Sequence, residues 1–497
     1  MSQARVSARC TLIVVIAVLA GLSACERGQP ARTTEPESPG RVRQAPAVSL
    51  ARAVDDATGV IVEPDNSPSG PAPLEPVFRP DDLRPRHDDA RLKGLGIQVF
   101  ESKRLKLYTD VEADAGQPLP GLIDQAYEAW EAYFGPLPPN RAGTDFQITG
   151  YLIRDMARFR ELGLIPEEFT FEHGCNLRNE FWMRDQEYDY YRRHLLIHEA
   201  THSFMTFMPG VAAPVWYMEG MAEYFGAHRL NLPAGPPTFG VMPTSPAGFA
   251  GFGRITIIRE DFAANRAQPI PSILAVTPAE FRTPDRYAWA WALCAFLDGT
   301  PRYHERFQTL GRHTQGTQFP GMFADAFDRD QRDLATEWTL YVVNLQYGYD
   351  IARAAIDFHP GVFLTDEQPE VARQVASDRG WQSSRVQLEQ GDTYEIAATG
   401  RFTLADHPKP WESEPHGIAF RYFDGCPLGT LLGCLRSEEG PAGGVDDPML
   451  SVIALGRGRT FQAPVTGTLY LRLNDAWNSL HDNRGHVDVT IRRVEKP

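Results

Sequence analysis

Two histidines four residues apart, His198 and His202, with Glu199 beside the first, do most to limit what this chain can fold into. Such a pair meets on one face only if the backbone there is an α-helix, with one turn between positions i and i+4. On that helix two imidazoles can grip one metal ion, and Glu199 stands close enough to reach a water on it. A catalytic tetrahedral zinc takes three protein ligands and keeps its fourth position for water, so one ligand is still needed. Pro214 suits the first turn of a second helix, on which Glu219 and Glu223 share a face. Glu219 is assigned as the third ligand, and Glu223 as the acceptor of a ligating histidine's other ring N–H; spacing alone also permits the reverse. His194 lies one turn before His198, but the catalytic pair already occupies that face, so no ligand role is expected of it.

The run Trp216-Tyr-Met-Glu219-Gly-Met-Ala resembles the W-x-x-E-G-x-A sequence that carries the third ligand in glutamate-zincin metallopeptidases. That resemblance implies zinc, a peptide or protein substrate, and Glu199 as general base. Upstream, residues 104–110 alternate as a strand, 120–134 have a helical period, and 146–153 alternate again before Asp155. This order resembles the N-terminal part of the peptidase-MA-like domains of bacterial secreted proteins, which implies an α+β zincin-like catalytic domain over residues 95–360. In zincins an extended segment pairs with substrate along the cleft by strand addition, and residues 175–183 are the candidate here. Residues 239–253, rich in Gly, Pro and Ser, read as a loop over the cleft. A helix is expected over 286–297, where Tyr287 is a candidate catalytic hydroxyl, donating to the tetrahedral intermediate; plain aromatic packing is the competing reading. Helices over 304–312 and 331–345 should complete the domain.

The chain opens with Arg5 and Arg9, an apolar run over 11–22, and Leu22-Ser-Ala-Cys25. The run is short for a bilayer and ends in small residues, the form of a secretory signal. Its last four residues resemble a bacterial lipobox. That implies removal of residues 1–24, lipidation of Cys25, and a membrane partner through the lipid anchor. Glu26 in place of aspartate favours the outer membrane, so the expected location is the bacterial cell envelope. Eleven prolines between Pro30 and Pro85, without hydrophobic period, make residues 25–94 a disordered tether, with a short strand near 59–62 as its one hint of order.

Beyond a linker at 361–378 the pattern becomes alternating, at 386–389, 393–398, 418–422, 449–454, 467–473 and 487–491, with Gly and Pro between. An all-β sandwich is expected over 379–497, making the chain multidomain. Residues 391–400, 471–475 and 482–485 are similar to the bacterial calcium-dependent galactophilic lectin fold. The resemblance implies a calcium site with side chains from Asp475, Asp482 and Asn483 and carbonyls from Ser479 and Leu404; hard oxygens on loops suit that ion. Asp and Asn before Gly are also ordinary turn formers. Around Glu414-Pro-His416-Gly417 the lectin's sugar-contacting residues are not reproduced, which puts galactose, though not a glycan partner as such, in doubt.

A formal charge of −15 and the lack of a basic stripe argue against nucleic acid. Cysteine usage fits an oxidising compartment: Cys426 and Cys434, close across Pro427 and Gly429, are the preferred disulfide, and the pairing of Cys175 and Cys294 is left open. The function expected is zinc-dependent peptide hydrolysis. The alternative is a non-catalytic surface lipoprotein that binds envelope glycan on a zincin scaffold.

Overall fold

The computed structural model describes residues 77–208, 213–231, 233, 235–312, 318–407, 409–440 and 442–494. The signal, Cys25 and the strand near 59–62 lie outside them. Strands β1 (Gln98–Glu101), β2 (Leu105–Thr109), β3 (Ile148–Ile153), β4 (Gly174–Leu177) and β5 (Glu180–Arg184) form one sheet in the order β1-β2-β3-β5-β4. The β2–β3 and β3–β5 pairs are parallel, β1–β2 and β4–β5 antiparallel. Central β3 is buried at every position, as a strand covered on both faces must be. Under one face Tyr151 stacks on Trp182, with centroids 5.2 Å apart, and on Tyr108 at 5.6 Å. The other face carries helix α1 (Leu119–Phe134), started by Pro120 in its first turn and stopped by Gly135 at φ 92°.

Four further helices build the centre: α2 (Asp189–Thr206), α3 (Val215–Gly226), α4 (Arg254–Ala263) and α5 (Pro284–Gly299). A ribbon of β6 (His228–Arg229) and β7 (Thr238–Phe239) follows α3. The closest helix contact is α3 on α5, and Gly220 permits it: a Cβ there would lie 2.7 Å from the Ala290 carbonyl oxygen. Helix α6 (Gln331–Asn344) closes this helical N-terminal part. No helix among the described residues is long and apolar enough to cross a membrane.

The C-terminal part is β-rich and made of two sheets. One runs β14 (His416–Phe423), β15 (Cys426–Arg436), β18 (Gly467–Leu473), β10 (Gln382–Leu388), β8 (Val362–Phe363), with β16 (Ile453–Ala454) on β15. The other runs β13 (Glu412–Ser413), β12 (Phe402–Thr403), β19 (Arg484–Val494), β11 (Thr393–Thr399), β17 (Gly458–Gln462), with β9 (Glu370–Ala376) on β19. Alternate residues of β11 and β19, among them Tyr394, Ile396, Val487, Val489 and Ile491, fill the space between the sheets.

Three sequence expectations need correction. The expected tether is ordered from Val77: the Arg79 N–H donates to the Pro139 carbonyl, His87 Nε2 lies 2.7 Å from the Tyr151 hydroxyl, and Leu92 is buried in a helical turn. The expected linker contributes β8 and β9 to the two sheets. Cys426 and Cys434 are free thiols eight residues apart on one strand, β15. That spacing separates them by roughly 26 Å of extended chain, whereas a disulfide needs Cα atoms about 6 Å apart. Cys175 and Cys294 are likewise free and buried.

One hydrophobic core extends from the helical part into the β-rich part, through Tyr470, Trp477 and Leu480, and the described residues group as one compact unit. Trp477 stacks on Tyr349 at 5.9 Å, the buried Arg472 guanidinium lies 3.7 Å over the Trp477 ring, and the Trp477 carbonyl accepts the Asp350 N–H at 3.0 Å. Thr336 on α6 donates to Asp447 at 2.6 Å, and Arg436 pairs with Asp333.

Candidate metal centre

Helix α2 is buried along most of its length, wedged between the β4–β5 edge and α3, so its histidines face protein rather than water. Arg192 anchors its first turn to Asp185 at 2.5 Å and to Asp189. Pro214 is the N-cap of α3, one position earlier than expected, with ψ 156°. These two helices bring together His198, His202 and Glu219, the three residues assigned as ligands. His198 Nε2 lies 3.3 Å from Glu219 Oε2, His202 Nε2 lies 3.1 Å from the same oxygen, and the two Nε2 atoms are 3.2 Å apart. At zinc–ligand bonds of 2.0–2.1 Å, the edge of a coordination tetrahedron is roughly 3.3 Å. The donor set therefore fits zinc in chemistry and in spacing. Burial raises the Glu219 carboxyl, but His202 and then His198 outweigh it and hold it at about 2.

Glu199 is buried, and burial pushes its carboxyl up to about 8; His202 opposes this, while Glu219 and Glu223 add to it. Its carboxylate lies against the backbone of edge strand β4. A Cβ on Gly174 would come within 2.3 Å of Glu199 Oε1, so a larger residue there would displace the Glu199 carboxylate. Asn176 fixes β4 on α2, donating to Ser203 Oγ at 2.6 Å. The expected cleft segment 175–183 is thus a hairpin, with β4 outermost in the sheet and beside Glu199.

Glu223 stands behind the ligands, with Oε1 3.5 Å from His198 Nδ1 and Oε2 3.2 Å from His194 Nε2. Arg254 grips the same carboxylate with two hydrogen bonds, Nε to Oε2 at 2.9 Å and Nη2 to Oε1 at 2.8 Å. Sequence reasoning left His194 without a role and missed Arg254. His194 carried a signal in its helical spacing; Arg254 follows a stretch without period and carried none. The expected overhanging loop is packed instead: Phe249 and Phe252 are buried, and Phe252 meets the His194 ring edge-on at 5.1 Å. Tyr287 on α5 is buried with its ring 6.3 Å from that of His198, and its hydroxyl has no hydrogen-bond partner.

In the β-rich part, Asp475 and Asn483 meet: Asn483 Nδ2 donates to Asp475 Oδ2 at 2.9 Å and to the Ser377 carbonyl at 3.0 Å. Asp475 Oδ1 accepts the Ala476 N–H at 2.7 Å. Two oxygens of this loop, Asp482 Oδ1 and Asn483 Oδ1, are buried without a donor. Unpartnered oxygens of this kind fit a hard cation such as calcium.

No protein-family model and no curated protein matches the chain. Among solved structures, it is similar to an entity described as "EclA N-terminal domain; PllA-like lectin", at 19% identity over 25% of this chain and 98% of that one, with a TM-score of 0.19. It is also similar to a chain from a structure titled "Bacillus endospore appendages form a novel family of disulfide-linked pili", at 9% identity over 25% of this chain and 86% of that one, with a TM-score of 0.11. At these scores neither likeness fixes a function.

Proposed function

We propose that this protein is a zinc-dependent hydrolase of the cell envelope that cleaves peptide bonds. The observation that carries the reading is the convergence of His198, His202 and Glu219 donor atoms 3.1 to 3.3 Å apart, with a buried glutamate on the adjoining helical position. Zinc held by these residues would supply Lewis acidity, acidifying water and polarising a carbonyl. Glu199 takes the water's proton and passes it to the leaving amine. A cation beside it favours the ionised carboxylate and offsets the upward push of burial. The Tyr287 hydroxyl, buried and unpartnered, is the donor to the developing oxyanion. Glu223 Oε1, 3.5 Å from His198 Nδ1, is the nearby carboxylate toward which that nitrogen's proton would point, leaving Nε2 to ligate.

Metal analysis of the full chain, purified without chelators, and digestion of an unbiased peptide library test this. One zinc per chain is expected, with a Glu199→Gln variant that keeps the zinc and loses about 10²–10⁴ in rate. A metal-free parent or a fully active Glu199→Gln variant would sink the reading.

Calcium is proposed for the Asp475, Asp482 and Asn483 loop on the strength of its unpartnered oxygens. The non-catalytic reading, glycan binding by the β-rich part, draws on one observation: Phe420 and Tyr422 on β14 are exposed, and Trp411 packs edge-on to Phe420 at 6.2 Å. Binding of the full chain to a glycan array, with no cleavage in the peptide library, would favour it. Envelope anchoring rests on the Leu22–Cys25 sequence, and an unacylated mature N-terminus by mass spectrometry would remove it.

A further inference from the structure

We infer that Arg254 is a positioning residue for the metal centre, setting the geometry of the ligand His198 through the carboxylate of Glu223. The inference rests on the zinc reading above. Gly253, at φ 61° in the left-handed region, forms the N-cap that turns the chain into α4, and Arg254 is the first residue of that helix. Its side chain is buried and lies beside the Tyr191 hydroxyl and the ring faces of Phe252 and Tyr287, at 5.7 and 5.9 Å from the ring centres. The guanidinium is a planar fork, and here both prongs engage, one on each oxygen of Glu223.

A carboxylate held this way is fixed in plane as well as in place. Its Oε1 is thereby kept at 3.5 Å from His198 Nδ1, and its Oε2 at 3.2 Å from His194 Nε2. An anionic acceptor at Nδ1 selects the tautomer whose Nε2 carries the lone pair, and raises that nitrogen's basicity toward a metal. Without the fork, Glu223 would keep only its histidine neighbours, and the carboxylate beside His198 Nδ1 would no longer be fixed in plane. Arg254 touches none of the three ligands by hydrogen bond or ion pair, so its influence has to pass through Glu223.

The test is zinc affinity, measured on the full chain by competition with a chromophoric chelator at one fixed pH. The thermal midpoint of the metal-free protein is followed in parallel. Arg254→Met is expected to weaken zinc binding about 10- to 100-fold, and Arg254→Lys, which keeps charge but not the fork, by less. Glu223→Gln should weaken binding to a similar extent, and the double variant Glu223→Gln/Arg254→Met should bind no more weakly than Glu223→Gln alone. Equal zinc affinity in the parent, Arg254→Met and Arg254→Lys, whatever happens to the metal-free midpoint, would overturn the inference and leave Arg254 a structural ion pair. Additive losses in the double variant would overturn the route through Glu223. If Arg254→Met does not fold, Arg254→Lys and Glu223→Gln carry the comparison. A parent that binds no zinc would refute the zinc reading itself, an outcome distinct from equal affinities in a parent that does bind.

Discussion

In the helical part, the candidate ligands are two nitrogens and one oxygen from two facing helices, already at the spacing of a coordination tetrahedron, and behind them Arg254 holds both oxygens of Glu223. In the β-rich part, the candidate ligands are oxygens clustered on one loop region. Some of them are spent on internal hydrogen bonds, as between Asn483 and Asp475, and others are left without a donor. Helices preset a rigid, closed geometry of the kind zinc takes, while a loop supplies adaptable oxygens of the kind calcium takes. The contrast is between donor atoms converging from two helices and oxygens of one loop left without donors.

The two parts pack as regions of one folded body. Trp477 belongs to the β-rich part yet packs on Tyr349 of the helical part, so Trp477→Ala should cost about 3–5 kcal/mol and lower a single unfolding transition. Calorimetry that resolved two transitions, with only one displaced, would separate the parts.

A somewhat smaller effect sharpens the same joint from the helical side. Glu337 on α6 accepts the Ile356 N–H at 2.7 Å, and burial pushes its carboxyl from 4.5 up to about 7. Between those values the folded chain holds a proton that the unfolded chain releases, so stability falls as pH rises through that window, by roughly 3 kcal/mol once above it. Glu337→Gln should flatten this slope in melts taken at pH 5 and pH 8. An unchanged slope would show that the carboxyl is solvated and the joint looser than described.

The smallest effect concerns the loop site. Calcium at about a hundred times its dissociation constant should stabilise the parent by about 2.7 kcal/mol. A variant carrying Asp482→Ala and Asn483→Ala should gain nothing. If calcium leaves the parent's melting unmoved, the contrast reduces to one metal centre and one polar loop.

How much of this was legible in the sequence follows from how local each feature is. His198 and His202 could be read because helical spacing alone sets them on one face; spacing left Glu219 and Glu223 both open as third ligand, and the resemblance of the Trp216–Ala222 run favoured Glu219. Arg254 could not be read, since nothing local distinguishes an arginine 31 residues beyond its partner Glu223. The ordered stretch after Val77 was missed for a related reason: it is held by single anchors such as Arg79 and His87 rather than by a repeating pattern. Pro427, Gly429 and Gly433 suggested a turn that would close a disulfide. Pairing of β15 with the distant β18 overrides that local preference and draws the two cysteines apart.

The joint at Trp477 also bears on ancestry. A β-rich module passed between proteins as a separable cassette would be expected to carry a solvent-ready face where it meets its neighbour. Here that face presents Trp477 and Trp381, with the charged, buried Arg472 over both rings. Recombination that moved either half alone would strand this surface. The two halves are expected to diverge together, a change at Trp477 being matched by one at Tyr349.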